Sequence, residues 1–174
     1  SKLLSHTQRK ELFKKIIGLC EYEVEILSPS VIDSALNDPN MNLNKLEAIT
    51  SAKLINKLKP DKVILDCPAK DTKKYADLVT SYLDKKIKVI AEHKADVNHP
   101  IVSAASILAK VTRDEEIEKL HKKFNIDFGS GYPSDEKTQN FVKKYYKDYD
   151  FFRKTWQTYK DVINSKKQKK LFDF

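Results

Sequence analysis

Glycine is scarce in this chain. Only three of its 174 residues are glycine, alongside two cysteines, one methionine and one tryptophan. A nucleotide-cradling glycine loop of the P-loop type is therefore absent. Cys20 and Cys67 fall in no metal spacing and give no disulfide framework, so a reducing cytoplasm is the expected location. His6, His93, His99 and His121 show no zinc spacing and read as surface or structural residues. No apolar run approaches the ~20 residues that a membrane span needs. No signal peptide is visible, and no membrane partner is expected. Arginine is rare as well: of 33 basic residues only Arg9, Arg113 and Arg153 are arginine.

What remains is lysine-rich, with a net charge of +8. Such an excess suits a polyanionic partner such as nucleic acid, or simply a soluble surface. Hydrophobic residues make up 40% of the chain, enough for the packed core of one domain.

The spacing predicts an amphipathic helix over 5–18 and an alternating strand over 21–27 ("EYEVEIL"). A short helix follows with Pro29 near its start, then a loop over 37–44. Asn44 caps the next helix, with Glu47 completing a capping box. "KVILDCP" (62–68) and "KIKVIAEH" (86–93) read as buried strands separated by a helix that reaches about Leu83. Helices are expected over 101–123, 134–147 and 153–165. Strands alternating with helices indicate an α/β architecture with a partly parallel sheet.

Asp66 closes the first apolar strand and Asp96 follows the second. In open α/β sheets, sites form beyond the carboxyl ends of strands. Two carboxylates delivered there can share magnesium or manganese. Either one alone is equally well a loop or cap residue.

On the helix after Asp96, Ser103, Ser106, Lys110 and Arg113 share one face, and Ala104, Ile107, Leu108 and Val111 another. The first face is a phosphate-facing surface or an ordinary solvated stripe. Asp114, Glu115 and Glu116 read as partners of nearby lysines. "DFGSGYPSD" (127–135) holds two of the three glycines, Gly129 and Gly131, around Ser130. Such concentration implies unusual torsions or close approach to a ligand. Ser134 is the expected cap of the next helix. Tyr132 is either a half-buried turn residue or a group that meets a sugar or base. The tail ends "KKQKKLFDF", with Gln168, Leu171 and Phe174 at spacing one, four, seven. It resembles the sliding-clamp-binding motif of replication proteins, and it also reads as a solvated charged tail.

Taken in order, "LDCP", "AEHKAD", "IVSAASILAKVTRD", "DFGSGYPSD" and "RKTWQT" resemble archaeal ribonuclease HII over nearly the whole chain. Ser1-Lys2, followed by Leu-Ser, resembles the family's Asp-Ser-Lys motif. The resemblance implies a ribonuclease H-like mixed sheet flanked by helices. It implies a two-metal endonuclease, using Mg2+ or Mn2+, that cuts RNA in RNA–DNA hybrids and at ribonucleotides embedded in duplex DNA. By position, Asp66 and Asp96 match two of the family's four catalytic carboxylates. Tyr132 matches the tyrosine that senses the ribonucleotide 2′-OH. Gly131, Ser103, Ser106, Lys110 and Lys2 fall with the substrate-binding residues.

The family's opening strand, Gly-Ile-Asp-Glu-Ala-Gly-Arg-Gly or a close variant, has no counterpart here. The resemblance then implies a catalytic region over 1–150 without its first strands, a C-terminal helix over 151–166 and a tail over 167–174. The 174 residues are expected to be an incomplete record of a protein that is monomeric when whole, and to be inactive alone. If other acids complete the site, Asp114 and Glu92 come first. The alternative is a non-catalytic module that binds nucleic acid and the clamp.

Overall fold

The computed structural model describes residues 4–172, the side chains of 167–172 excepted. In chain order its elements are α1 (His6–Ile17), α2 (Pro29–Leu36), α3 (Leu43–Leu58), β1 (Lys62–Asp66), α4 (Thr72–Thr80), β2 (Lys88–Glu92), α5 (Ala95–Asn98), α6 (Pro100–Phe124), α7 (Glu136–Tyr145) and α8 (Gln157–Phe172). They divide into two compact units. The first takes residues up to Ile26 and Asn42–Arg113; the second takes Leu27–Met41 and the chain from Asp114 onward. Among the described residues no helix is long and apolar enough to cross a membrane.

The first unit is organised by a parallel pair. β1 and β2 run in register from Lys62↔Lys88 to Asp66↔Glu92. Parallel neighbours need a crossover, and α4 supplies it. Asp71 caps α4 by accepting the Lys74 N–H at 2.9 Å. The core joins Ala48, Ala52 and Ile55 of α3, Val63 and Cys67 at β1, and Tyr75 and Val79 of α4. The small alanines let α3 lie close. Burying each larger aliphatic or aromatic side chain contributes roughly 1.5–3 kcal/mol. Of β1 only Val63 is fully buried, and β2 is half-buried, so the strands are less enclosed than their apolar runs predict.

Three local expectations change in this unit, and in the second the last helix begins at Gln157 rather than at 153. Residues 21–27 form no strand. Glu23 and Glu25 pair with Lys57 and Lys53 of α3, at 2.7 and 2.5 Å. The alternation therefore serves ion pairing to a helix. α3 begins two residues earlier than expected: Asn42, not Asn44, is its cap and accepts the Lys45 N–H at 2.9 Å. α4 ends at Thr80, and Leu83 follows it in a turn.

The second unit is built on aromatic rings. Phe128 meets His121 edge-on at 4.3 Å and stacks near Phe151 at 5.2 Å. Phe141 of α7 contacts Tyr145, Tyr149 and Phe152 within 5.8 Å. Val142, Tyr159 and Val162 form a buried cluster, with Trp156 packed against it. Asp33 of α2 accepts the Lys154 N–H at 2.7 Å, and the Thr155 N–H and hydroxyl at 3.0 and 2.5 Å. Burial works to raise the Asp33 carboxyl. The Thr155 hydroxyl and the two amides outweigh it and hold the group below its ordinary range.

Candidate active site

Asp66 is the last residue of β1, and its carboxylate emerges exposed at the sheet's carboxyl edge. Beside it β2 ends at Glu92, the register partner of Asp66. The chain then turns through Lys94 in the left-handed region (φ 56°) into the single helical turn α5. Asp66 Oδ1 accepts the backbone N–H of Ala95 at 3.1 Å. That bond puts Oδ1 within about 9 Å of the Asp96 Cα, given standard backbone dimensions. The first residue of α5, the turn that carries Asp96, is therefore held at the Asp66 carboxylate.

Glu47 keeps an exposed side chain, yet partial burial and then the charge of Asp66 push its carboxyl above the usual range. The Tyr75 hydroxyl is pushed up to about 12, by burial first and then by Glu47. Carboxylate oxygens suit a hard divalent cation. The donor number is small: among the described residues, no group of three or more His, Cys, Asp or Glu is arranged to hold a metal ion. Asp66 and Asp96 would hold such an ion in part.

α6 follows α5 after the single residue His99 and opens with Pro100, a favoured residue for a first turn. The Ser103 N–H bonds the His99 carbonyl at 3.0 Å. Ser103, Ser106 and Lys110 are half-buried, while Val102, Ile107, Leu108 and Val111 are buried. The polar and apolar faces expected of this helix are thus distinct.

Gly131 and Tyr132 belong to the second unit. There Asp135, not Ser134, caps α7, accepting the Lys137 N–H at 2.9 Å. Its other oxygen accepts the Ser130 N–H at 2.6 Å and the Ser130 hydroxyl at 2.7 Å. These bonds hold the Asp135 carboxyl well below the usual carboxylate range. The Thr138 hydroxyl accepts the Gly131 N–H at 2.9 Å and donates to the Phe128 carbonyl at 3.0 Å. Gly129 and Gly131 both have positive φ, 84° and 71°. The turn is thus held from below, and Tyr132 at its tip is exposed. Lys2 and Phe174 lie outside the described residues, as do the side chains of Gln168 and Leu171.

Sequence reasoning did not assign Glu47 to this edge, because a helix-start glutamate reads as a capping residue. It set His99 aside for want of metal spacing; the ring Nε2 lies 2.9 Å from Glu92 Oε2. Glu92 itself was a reserve candidate, and it stands opposite Asp66 in the register.

The model of the ribonuclease HII family matches residues 1–159. The chain belongs to the ribonuclease HII family. It is a nuclease by that membership, and its fold is that of ribonuclease H. It is 45% identical to ribonuclease HII of Pyrococcus furiosus over 177 aligned positions, covering 98% of this chain and 77% of the relative. It superposes with a TM-score of 0.84 at 35% identity on the PCNA:RNase HII complex structure from Archaeoglobus fulgidus, covering 93% of this chain and 78% of that one. The crystal structure of Bst-RNase HIII in complex with Mn2+ shares the fold, with a TM-score of 0.74 at 19% identity, covering 96% of this chain and 57% of that one.

Proposed function

We propose that this chain is the body of an endoribonuclease that hydrolyses RNA strands in RNA–DNA hybrids, and at ribonucleotides embedded in duplex DNA, by two-metal hydrolysis with Mg2+ or Mn2+. The observation that supports the reading is the Asp66–Ala95 bond, which ties the Asp66 carboxylate to the start of the turn that carries Asp96. Asp66 and Asp96 hold metal. When bound, divalent ions polarise the scissile phosphate and make water a stronger nucleophile. Ser103, Ser106 and Lys110 of α6 offer hydroxyls and a cation to the backbone phosphates. Tyr132 tests for the 2′-OH, and Gly131 allows the backbone to come close. The Mn2+ complex of the HIII protein supports the choice of cofactor. The PCNA:RNase HII structure supports a sliding clamp as partner, met by Gln168, Leu171 and Phe174.

Two carboxylates hold two divalent ions weakly, so these 174 residues alone cleave poorly in this reading. A second reading, a non-catalytic module for nucleic acid and clamp, is favoured by the absence of a three-ligand metal group among the described residues. One assay separates them. A duplex with a single ribonucleotide is incubated with the purified chain and Mn2+ or Mg2+. Metal-dependent cutting at the ribonucleotide, abolished by Asp66→Asn or Asp96→Asn, supports the nuclease. Binding of that duplex with neither metal-dependent cutting nor Mn2+ uptake by the chain supports the module.

A further inference from the structure

Nothing in the local sequence of α5 holds it in place. It is four residues long, and Lys94 at its N-cap makes no side-chain capping bond. One isolated helical turn does not persist in water, because nucleation costs more than its single bond returns. Side-chain bonds from the two strand ends fasten it. Asp66 takes the Ala95 N–H at 3.1 Å, at its first residue. Glu92 Oε2 meets His99 Nε2 at 2.9 Å, at its C-cap. An ionised carboxylate only accepts, so the ring nitrogen donates. The two carboxylates are register partners on adjacent strands. The His99 N–H to Ala95 carbonyl bond, 2.9 Å, joins the two tethered ends. Asp96 sits between them.

The Glu92–His99 bond has no part in the reaction proposed above. It is half-buried, with side-chain exposures of 30% for His99 and 38% for Glu92, so water competes with it only in part. Its geometric effect is to fix the far end of the turn that carries Asp96.

We propose that Glu92 and His99 are positioning residues, whose mutual hydrogen bond sets the Asp96 carboxylate for divalent-cation binding. The inference rests on the reading of Asp66 and Asp96 as metal ligands. It adds that a carboxylate–histidine pair which touches no ion controls the affinity of the site. Partners that orient ligands in this way are worth roughly 10–100-fold in metal affinity.

The test is a calorimetric Mn2+ titration of the full chain, with far-UV circular dichroism on every variant. His99→Ala and Glu92→Ala should each weaken Mn2+ binding about tenfold. The double variant should be no weaker than either single one, because the two residues act through one bond. His99→Gln, which keeps an N–H within reach of Glu92, should recover most of the loss, and a mere packing role would not give that recovery. Affinities of both alanine variants within twofold of the parent, while Asp66→Asn abolishes binding, overturn the positioning role and leave the ligand reading intact. Failure of His99→Gln to recover also overturns it. A parent chain that takes up no Mn2+ overturns the ligand reading itself.

Discussion

A Cβ built on Gly129 would lie 2.5 Å from Oδ2 of Asp135, and 2.9 Å from the Thr138 hydroxyl. The carboxylate that caps α7 therefore occupies the space that any other residue at 129 would fill. The backbone at Gly129, with φ 84°, adds a second reason for glycine. Gly129→Ala should destabilise the second unit by about 1–3 kcal/mol, from strained torsion and displaced hydrogen bonds. Thermal melts give the value. A loss below ~0.5 kcal/mol would mean that the turn relaxes freely.

Acid should loosen the same turn. The Asp135 carboxyl is depressed by the Ser130 amide and hydroxyl, and that of Asp127 chiefly by the Lys137 ammonium. A depressed carboxyl stabilises the fold above its unfolded value of about 3.9. That stability is lost as pH falls through the folded value. Protection of the Ser130 and Gly131 amides, taken relative to intrinsic exchange, should thus hold down to about pH 4 and fall below it. With Asp135→Asn that protection should be low at neutral pH and nearly unchanged by acid.

Asp66 has two separable roles. As an acceptor it holds Ala95; as a charge it serves the proposed metal. Asp66→Asn keeps a carbonyl oxygen for the amide, so its melting temperature should stay close to the parent's while Mn2+ affinity falls. Asp66→Ala should lose that affinity and a further ~1 kcal/mol of stability, the net worth of one hydrogen bond. Equal stability of the two variants would show that the Ala95 bond contributes nothing.

Tyr132→Phe removes only a hydroxyl from an exposed side chain and should leave the fold intact. The expected loss lies in discrimination between a ribonucleotide-containing duplex and the all-DNA duplex, more than in binding itself, because the 2′-OH is the only difference read. Parallel titrations with the two duplexes decide the matter. Equal weakening for both would remove Tyr132 from substrate selection.

A peptide of the last ten residues should bind a sliding clamp through Leu171 and Phe174 as buried anchors. Leu171→Ala with Phe174→Ala should abolish that binding in a titration. Unchanged affinity would leave the tail as a charged terminus.

The two strand ends were legible in the sequence because each is local. A short Val/Ile run followed by aspartate, or by a turn and then aspartate, marks them both, and their parallel pairing follows from the helix between them. The extended reading of 21–27 failed because alternation does not say what is paired. Glu23 and Glu25 find lysines of α3 more than 25 residues away. Helix starts slipped where several capping residues stood together, as at Asn42 and Asn44, or Ser134 and Asp135. The Glu92–His99 bond was invisible for a different reason. Its partners close a loop around Asp96 from the end of β2 to the C-cap of α5, and no periodicity within one element joins them. The Asp33–Thr155 bond spans 122 positions, beyond any local pattern.

The single tryptophan has a practical consequence. Trp156 packs with Val142, Tyr159 and Val162, all in the second unit. Its fluorescence therefore reports the melting of that unit alone and is silent on the strands that carry Asp66 and Asp96. Circular dichroism at helical wavelengths averages both units. If the denaturant midpoints from the two signals separate, the chain unfolds in more than one step, and a single unfolding free energy does not describe it. A variant at the metal edge would then shift the dichroism curve and leave the emission curve where it was.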